Sequence, residues 1–179
     1  MTVGIPREVK SQEHRVGMIP ACAGELVKRG HRVVVETGAG QQSSYLDSEY
    51  QAAGAEIVPT AEAVFEEARL IVKVKEPQPS EVALLGPDHT LFTYLHLAAD
   101  RQLTESLTAT GCTAIAYETL EVSGRLPLLE PMSELAGRMA VRIGPGSHVG
   151  GKWRVKPRFG GPNPVSSIDD SGYRILYPG

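Results

Sequence analysis

The stretch HRVVVETGAGQQSSYLDSEYQAAGAEIVPTAEAVFEEARLIVKVK, residues 31–75, decides the fold of this chain. It contains three short runs rich in Val and Ile, at 31–36, 55–58 and 70–75, and segments with helical spacing lie between them. Short apolar runs that alternate with amphipathic helices are typical of parallel strands joined by covering helices. The stretch therefore predicts an α/β domain.

The same alternation continues on both sides of this stretch. Further strands are predicted at 2–5, 90–97 and 113–117, and helices at 20–29, 47–53, 101–108 and 131–141. Cys22, Leu26 and Val27 are expected to face the core, and Thr60 is expected to cap a helix over AEAVFEEA. The predicted architecture is an open, mostly parallel sheet with helices on both faces, in a flavodoxin-like arrangement.

Length and charge exclude several classes of protein. A chain of 179 residues with a net charge of −3 is long enough for one globular domain and has no broad positive field for nucleic acid or anionic membranes. No apolar stretch approaches the roughly 20 residues of a membrane span, and the N-terminus lacks the pattern of a signal segment. Cys22 and Cys112 predict neither a disulfide framework nor a metal site. We expect a cytoplasmic protein with reduced thiols.

The composition changes after Ile143. Residues 144–179 contain eight Gly and five Pro, and they carry a charge of +3 against −6 for residues 1–143. No helical or alternating pattern persists in this segment, so we expect a poorly packed basic tail of 36 residues after a domain at 1–143.

A Gly-rich loop follows the strand at 31–36. The sequence there is VVVETGAGQQS, which places Ser43 where a dinucleotide-binding fingerprint has its third glycine. That glycine allows close approach of helix and strand, so we expect this loop not to bind a dinucleotide. Gly144-Pro145-Gly146 is a weaker candidate, because it follows a helix and Pro145 has no N–H for a phosphate.

Polar side chains stand at the ends of the predicted strands, where an open α/β sheet has its ligand crevice. Arg15 follows the first strand, Lys73 and Lys75 lie in LIVKVK, and Tyr94 and His96 lie in FTYLHLA. Lys75 is either a buried cation that needs an anionic partner or an edge-strand residue that points into water. Burial beside an anionic partner is less expected for Lys73 than for Lys75. His96 is either a hydrogen-bonded core residue or a proton exchanger near neutral pH. The other histidines, including His89, are expected at the surface.

Several motifs of five or more residues resemble the N-terminal part of the alanine dehydrogenase family. They are Gly4-Ile5-Pro6-Arg7-Glu8 with Arg15, Glu36-Thr37-Gly38-Ala39-Gly40, Val72-Lys73-Val74-Lys75-Glu76-Pro77, Leu91-Phe92-Thr93-Tyr94-Leu95-His96-Leu97-Ala98, Ala114-Ile115-Ala116-Tyr117-Glu118-Thr119 and Leu128-Leu129-Glu130-Pro131-Met132-Ser133 with Ala136-Gly137-Arg138. The resemblance covers residues 1–143 without apparent gaps. The related transhydrogenase alpha chain shares the first two motifs but lacks the segment around His96, which favours the dehydrogenase.

The resemblance implies specific roles for these residues. Members of the family interconvert L-alanine with pyruvate and ammonia, pass hydride to or from NAD, and assemble as homo-oligomers. By this resemblance Arg15 and Lys75 hold the substrate carboxylate and carbonyl oxygen, and His96 donates or accepts the proton. Tyr94 and Glu118 line the same crevice, and Met132 and Ser133 contact NAD at a hinge. We expect Arg15, Lys75, Tyr94 and His96 to share one cleft at the carboxyl ends of the strands.

The chain departs from the family after residue 143. Members continue into a Rossmann nucleotide domain with its own glycine-rich turn, and residues 144–179 contain no such unit. We therefore expect a truncated or frame-shifted product, or a fragment, that keeps part of the substrate site but is inactive alone. Two alternatives remain: a non-catalytic module that binds small carboxylates or joins subunits, and an α/β module whose cations are ordinary surface residues.

Overall fold

A computed structural model describes residues 1–143 together with Ser167–Ile168 and Arg174–Ile175. The chain divides into two compact units, Met1–Thr119 and Leu120–Gly179. Apart from the two short strands, the tail predicted at 144–179 lies outside the described residues, so the domain boundary after residue 143 stays a prediction. No helix among the described residues is long and apolar enough to cross a membrane.

The first unit contains a six-stranded sheet in which all neighbouring strands are parallel. Its strands are β1 Thr2–Ile5, β2 Arg32–Glu36, β3 Glu56–Val58, β4 Leu70–Val72, β5 Thr90–Thr93 and β6 Thr113–Ala116. They lie in the order β3-β2-β1-β4-β5-β6. This six-stranded order is doubly wound, and the direction of winding reverses between β1 and β4; the flavodoxin order has five strands and lacks a counterpart of β3. The predicted open, parallel α/β sheet is confirmed.

Helices cover both faces of this sheet. They are α1 Pro20–Lys28, α2 Asp47–Ala52, α3 Ala61–Glu67, α4 Pro79–Val82 and α5 Arg101–Thr110. Successive side chains of a strand point to opposite faces, so Val33 and Val35 of β2 pack with Tyr50 of α2, whereas Val34 packs with Val64 of α3. All five side chains are completely buried. The run of three valines is therefore explained by a strand that is buried on both faces.

Helix α1 begins at the predicted residue, but the residues that it buries differ in part from those expected. Leu26 and Val27 are partly buried as expected, but the expectation for Cys22 is wrong, because its side chain is exposed. Gly24 is buried instead, and a Cβ at this glycine would lie 3.4 Å from the Cβ of Ala53. Because successive helix residues are rotated by about 100°, Cys22 lies on the opposite side of α1 from Gly24 and therefore faces outward.

Two strands are shorter than the alternating pattern predicts. The predictions of strands at 70–75 and 90–97 are wrong at their ends, because β4 stops at Val72 and β5 stops at Thr93. The neighbouring strand β1 ends at Ile5, and Pro6 follows it without an N–H to donate. Beyond Val72, the Lys73 N–H still donates to the Phe92 carbonyl oxygen at 3.1 Å, whereas the N–H groups of Val74 and Lys75 donate to the Glu8 carboxylate.

His89 is half-buried, which corrects the expectation that it lies at the surface. Its Nδ1 accepts a hydrogen bond of 2.9 Å from the Gly86 N–H, so the proton lies on Nε2. Nε2 then donates to the carbonyl oxygen of Phe65 at 2.8 Å. The ring joins the end of α3 to the turn before β5.

The second unit contains the helix α6, Glu130–Ile143, which includes the predicted 131–141. A turn precedes it at Ser123 and Gly124, as predicted, and both residues have positive φ angles of 53° and 75°. Ser167–Ile168 and Arg174–Ile175 form an antiparallel pair, β7 and β8.

Gly4→Ala should destabilise the first unit. An added Cβ would lie 2.7 Å from both the Ala68 Cβ and the Val64 Cγ1, so α3 would have to move away from β1. We expect the free energy of unfolding to fall by about 1–3 kcal/mol, as measured by urea denaturation. Gly86→Ala is the matched control, because its Cβ would meet no atom closer than 3.9 Å. Equal unfolding midpoints for the two variants would contradict this description of the β1–α3 contact.

Candidate functional site

The loops that follow β1, β4, β5 and β6 meet at one edge of the sheet, because the carboxyl ends of parallel strands share an edge. Winding reverses between β1 and β4, which is where open α/β sheets form their ligand crevice. The loop after β1 reaches the end of β4, since a Cβ on Gly17 would lie 2.5 Å from the Val72 carbonyl oxygen. Arg15 and Lys75 lie in the loops on the two sides of this point.

Arg15 is held by Glu13 through one edge of its guanidinium. Nε and Nη2 of Arg15 donate to the two carboxylate oxygens of Glu13 at 2.8 and 2.6 Å, and the Arg15 backbone N–H donates to the same carboxylate at 2.9 Å. These hydrogen bonds lower the pKa of Glu13 to about 2, and Lys75 contributes to the lowering. Glu13 therefore fixes the orientation of the guanidinium and lies within the electrostatic reach of both cations.

Lys75 is half-buried, and its backbone is held from both sides. Its N–H and the N–H of Val74 donate to the Glu8 carboxylate at 3.3 and 2.7 Å. Its carbonyl oxygen accepts a hydrogen bond of 2.8 Å from the Thr93 hydroxyl on β5. The backbone of Lys75 is therefore held by one side chain from the loop after β1 and one from strand β5.

Tyr94 and His96 form an aromatic group with Tyr117 after the ends of β5 and β6. The rings of Tyr94 and His96 are stacked, with centroids 6.1 Å apart and an interplanar angle of 16°. Tyr117 meets Tyr94 edge-on at 5.0 Å. Burial raises the pKa of Tyr94, whereas the positive charge of Arg15 lowers it, so the phenol lies near the guanidinium. The sequence did not single out Tyr117.

His96 has an unusual backbone conformation that Glu118 stabilises. Its φ angle is 51°, in the left-handed region that is costly for residues other than glycine. The N–H groups of Leu95 and His96 donate to the Glu118 carboxylate at 3.1 and 2.7 Å. The sharp change of direction leaves the imidazole exposed at the edge of the crevice, which excludes the interpretation of His96 as a core residue.

Lys73 is the lysine that is buried beside anionic partners. The expectation that such burial is less expected for Lys73 than for Lys75 is therefore wrong. Its Nζ lies 2.6 Å from Glu81 Oε1 and 3.3 Å from Glu8 Oε2, and the three side chains are at most 3% exposed. The sequence singled out neither carboxylate. A usable signal exists, because a lysine at the end of a central parallel strand needs a carboxylate from a neighbouring loop.

The Gly38-Ala39-Gly40 loop does not have the geometry of a pyrophosphate cradle. The Gly38 N–H already donates to the Asp47 carboxylate at 2.8 Å, and the Thr37 hydroxyl donates to it at 2.6 Å. Gln41–Ser43 forms one short 3-10 turn where a fingerprint would place a long helix. Among the described residues, no group of three or more His, Cys, Asp or Glu side chains could hold a metal ion.

Met132 and Ser133 lie in the first turns of α6, in the second unit. Met132 is 39% exposed, and Ser133 is half-buried. In the first unit, Arg15 acts electrostatically on Tyr94, Arg15 and Lys75 both act on Glu13, and the Tyr94 ring is stacked on His96. Arg15, Lys75, Tyr94 and His96 offer two cations, a phenol and an imidazole, which suit a small anion that carries a carboxylate and a carbonyl group.

Comparison with known proteins identifies the family of this chain. The family described as "Alanine dehydrogenase/PNT, N-terminal domain" matches residues 4–136. An alanine dehydrogenase of Mycolicibacterium smegmatis is 52% identical over 145 residues, which are 80% of this chain and 39% of that protein. The alanine dehydrogenase of Bacillus subtilis is 49% identical over 144 residues, which are 80% of this chain and 38% of that protein. The chain thus spans about two fifths of the length of these relatives.

Solved structures agree with the sequence comparison. An L-alanine dehydrogenase superimposes with a TM-score of 0.77 at 50% identity, over 80% of this chain and 40% of that one. A transhydrogenase from Sinorhizobium meliloti superimposes with a TM-score of 0.72 at 28% identity, over 79% of this chain and 43% of that one. The two share the fold, and the identity is higher for the dehydrogenase.

The Glu13 carboxyl should titrate far below its usual range. Because its folded pKa of about 2 lies below the ordinary 4.5, the pair with Arg15 stabilises the fold above about pH 4.5, and this contribution is lost as the pH falls towards 2. Arg15→Gln should move the Glu13 midpoint towards 4.5 in a carboxyl-detected NMR titration. Lys75→Met is the control and should move it less, since Lys75 makes the smaller contribution. An unchanged midpoint in Arg15→Gln would contradict the hydrogen-bonded pair.

Proposed function

The chain belongs to the family of alanine dehydrogenase and PNT N-terminal domains, and we propose that residues 1–143 form the substrate-holding part of an alanine dehydrogenase. Enzymes of this kind interconvert L-alanine with pyruvate and ammonia and pass hydride to or from NAD. The observation that carries the proposal is the common position of Arg15, Lys75, Tyr94 and His96 after the ends of adjacent parallel strands. The higher identity to alanine dehydrogenases than to the transhydrogenase favours it over the transhydrogenase alternative.

In this proposal the two cations divide the substrate between them. The guanidinium of Arg15 binds the carboxylate, since its planar fork matches two oxygens. The ammonium of Lys75 stabilises negative charge on the carbonyl oxygen of pyruvate. Glu13 orients the Arg15 guanidinium for carboxylate binding, and Lys75 lies close enough to contribute to lowering the pKa of Glu13.

His96 exchanges the proton in this proposal, and Tyr94 forms the wall beside it. The imidazole is exposed at the crevice, and its ring is stacked on Tyr94. Imidazole is suited to proton exchange because its ordinary pKa lies near neutrality. The left-handed backbone at His96, held by Glu118, directs the ring away from the core and towards the crevice.

NAD is the cofactor that the family uses, but the described loops do not fit its pyrophosphate. The N–H of Gly38 is engaged by Asp47, and Ser43 stands at the position of the third glycine. We therefore assign no hydride step to the residues of this chain. Met132 and Ser133 remain our proposed NAD contacts. The cytoplasmic location and the homo-oligomeric assembly implied by the family also stay predictions.

Lys75→Ala should weaken the binding of pyruvate to the chain. We expect the dissociation constant in a calorimetric titration with sodium pyruvate to rise at least about tenfold, the scale of one charge-assisted hydrogen bond. Lys28→Ala is the control, because its side chain is 74% exposed and lies at the end of α1. Equal affinities for the wild type and Lys75→Ala would remove Lys75 from the substrate site.

The chain alone should bind NAD weakly and should not oxidise L-alanine. Titration with NAD and a spectrophotometric assay of NADH formation test this expectation directly. Micromolar NAD binding, worth about −8 kcal/mol, would show that we have misassigned the Gly38 loop or the tail. Turnover restored by adding a separately made nucleotide domain would favour the substrate part of a dehydrogenase, whereas pyruvate binding with no such restoration would favour the non-catalytic carboxylate-binding alternative.

A further inference from the structure

A buried triad formed by Glu8, Lys73 and Glu81 lies at the end of β4, where Glu8 also accepts the backbone N–H of Lys75. Glu81 Oε1 is 2.6 Å from the Lys73 Nζ, and Glu8 Oε2 is 3.3 Å from it. The three side chains are 1–3% exposed. Because a ligand in the crevice cannot reach side chains that are so deeply buried, the triad has to act through other residues.

Glu8 connects the two loops that carry the cations. It lies in the loop after β1, as Arg15 does, and its carboxylate accepts the N–H groups of Val74 and Lys75 from the loop after β4. In a regular strand, successive N–H groups point to opposite neighbours, and the Lys73 N–H points to β5, where it donates to the Phe92 carbonyl oxygen. The Val74 N–H would then point towards β1, which has already ended at Ile5, and Glu8 accepts both this N–H and the next one. The Glu8 carboxylate, from the loop after β1, thus holds the backbone of the loop after β4 by two hydrogen bonds.

Lys73 and Glu81 keep this carboxylate in place. Burial raises the pKa of Glu8, and the positive charge of Lys73 opposes that rise. An unpaired Glu8 would take up a proton and become a weaker acceptor for the two N–H groups. Glu81 holds the other side of Lys73, and its second oxygen accepts the Gln78 N–H at 2.9 Å at the start of α4.

We propose that Glu8 is a positioning residue that sets the spacing between the Arg15 guanidinium and the Lys75 ammonium, with Lys73 and Glu81 holding its carboxylate. The affinity of the crevice for a carboxylate ligand then depends on a residue that does not touch the ligand. The inference rests on the proposed function in the choice of pyruvate as the probe and in the roles of Arg15 and Lys75 as ligand-binding cations. It adds a residue that the resemblance did not assign to any role.

The test variant is Glu8→Gln, titrated with sodium pyruvate in a calorimeter. Gln keeps one acceptor oxygen but places an NH₂ group against backbone N–H donors and the Lys73 ammonium. If Glu8 acts by positioning, the dissociation constant for pyruvate should rise about tenfold. If it acted only through its charge, removing a negative charge near an anion site would make binding tighter. Equal or tighter binding by the folded variant therefore overturns the proposal.

Asp47→Asn is the matched control. It also neutralises a carboxylate that accepts a backbone N–H at this edge of the sheet, but that N–H belongs to Gly38 and not to Lys75. We expect its affinity for pyruvate to stay within about twofold of the wild type, because neither cation loop loses a hydrogen bond. An equal loss of affinity in both variants would show that any lost carboxylate at this edge weakens binding, and would overturn the specific role of Glu8.

Glu8→Asp keeps the test decisive if Glu8→Gln does not fold. Asp preserves the charge that Lys73 needs but withdraws the oxygens by one methylene from the Val74 and Lys75 N–H groups. The expected result is a smaller loss of pyruvate affinity than in Glu8→Gln, in the same direction. Wild-type affinity in a folded Glu8→Asp would overturn the proposal.

Hydrogen exchange separates this inference from the proposed function. If the wild type does not bind pyruvate, the proposed substrate is wrong, and the positioning role is still decided by amide exchange measured by NMR. The amides of Val74 and Lys75 should exchange at least about tenfold faster in Glu8→Asp than in the wild type, whereas the Leu91 amide in the core of β5 should be unchanged. Unchanged protection of Val74 and Lys75 would overturn the positioning role whatever the ligand.

Discussion

The ion pair between Lys73 and the carboxylates of Glu8 and Glu81 is the interaction on which the crevice depends. A lysine that is completely buried at the end of a parallel strand carries a large desolvation cost, and only close carboxylates offset it. This requirement joins the loop after β1, the end of β4 and the start of α4 at one point. Two carboxylates and one ammonium leave the loops little freedom to move apart, because separation would expose an unpaired buried charge.

Along the carboxyl edge of the sheet, carboxylates also accept backbone N–H groups that have no strand partner. The pairs, with distances of 2.7–2.9 Å, are Glu36 with Arg7, Asp47 with Gly38, Glu8 with Val74 and Glu118 with His96. Backbone N–H groups need a partner wherever a strand ends inside a folded protein. These carboxylates satisfy the strand ends and also fix the loops that carry Arg15, Lys75 and His96. The same carboxylates therefore stabilise the fold and position the loops of the proposed substrate site.

The strain at His96 shows the cost of this arrangement. A left-handed conformation of a residue other than glycine costs on the order of 1 kcal/mol or more, and the two N–H groups bound by Glu118 offset it. Because of this conformation, the chain turns sharply after β5. Tyr94 is buried against Tyr117, whereas His96 faces outward. A continued strand would have kept the two side chains on one face of the sheet.

The sequence by itself determined the α/β class, the parallel strands and most helix boundaries, because apolar periodicity is a local property of about ten residues. It also indicated Arg15, Lys75, Tyr94 and His96, since strand ends are where such a sheet binds ligands. It gave no warning that β4 ends at Val72, because Lys73-Val74-Lys75 has the same alternating pattern as a strand. Only the tertiary structure decided that Lys73 is completely buried while Lys75 is half-buried. That outcome depends on Glu8, 65 residues away in the sequence, and the two meet only because β1 pairs with β4.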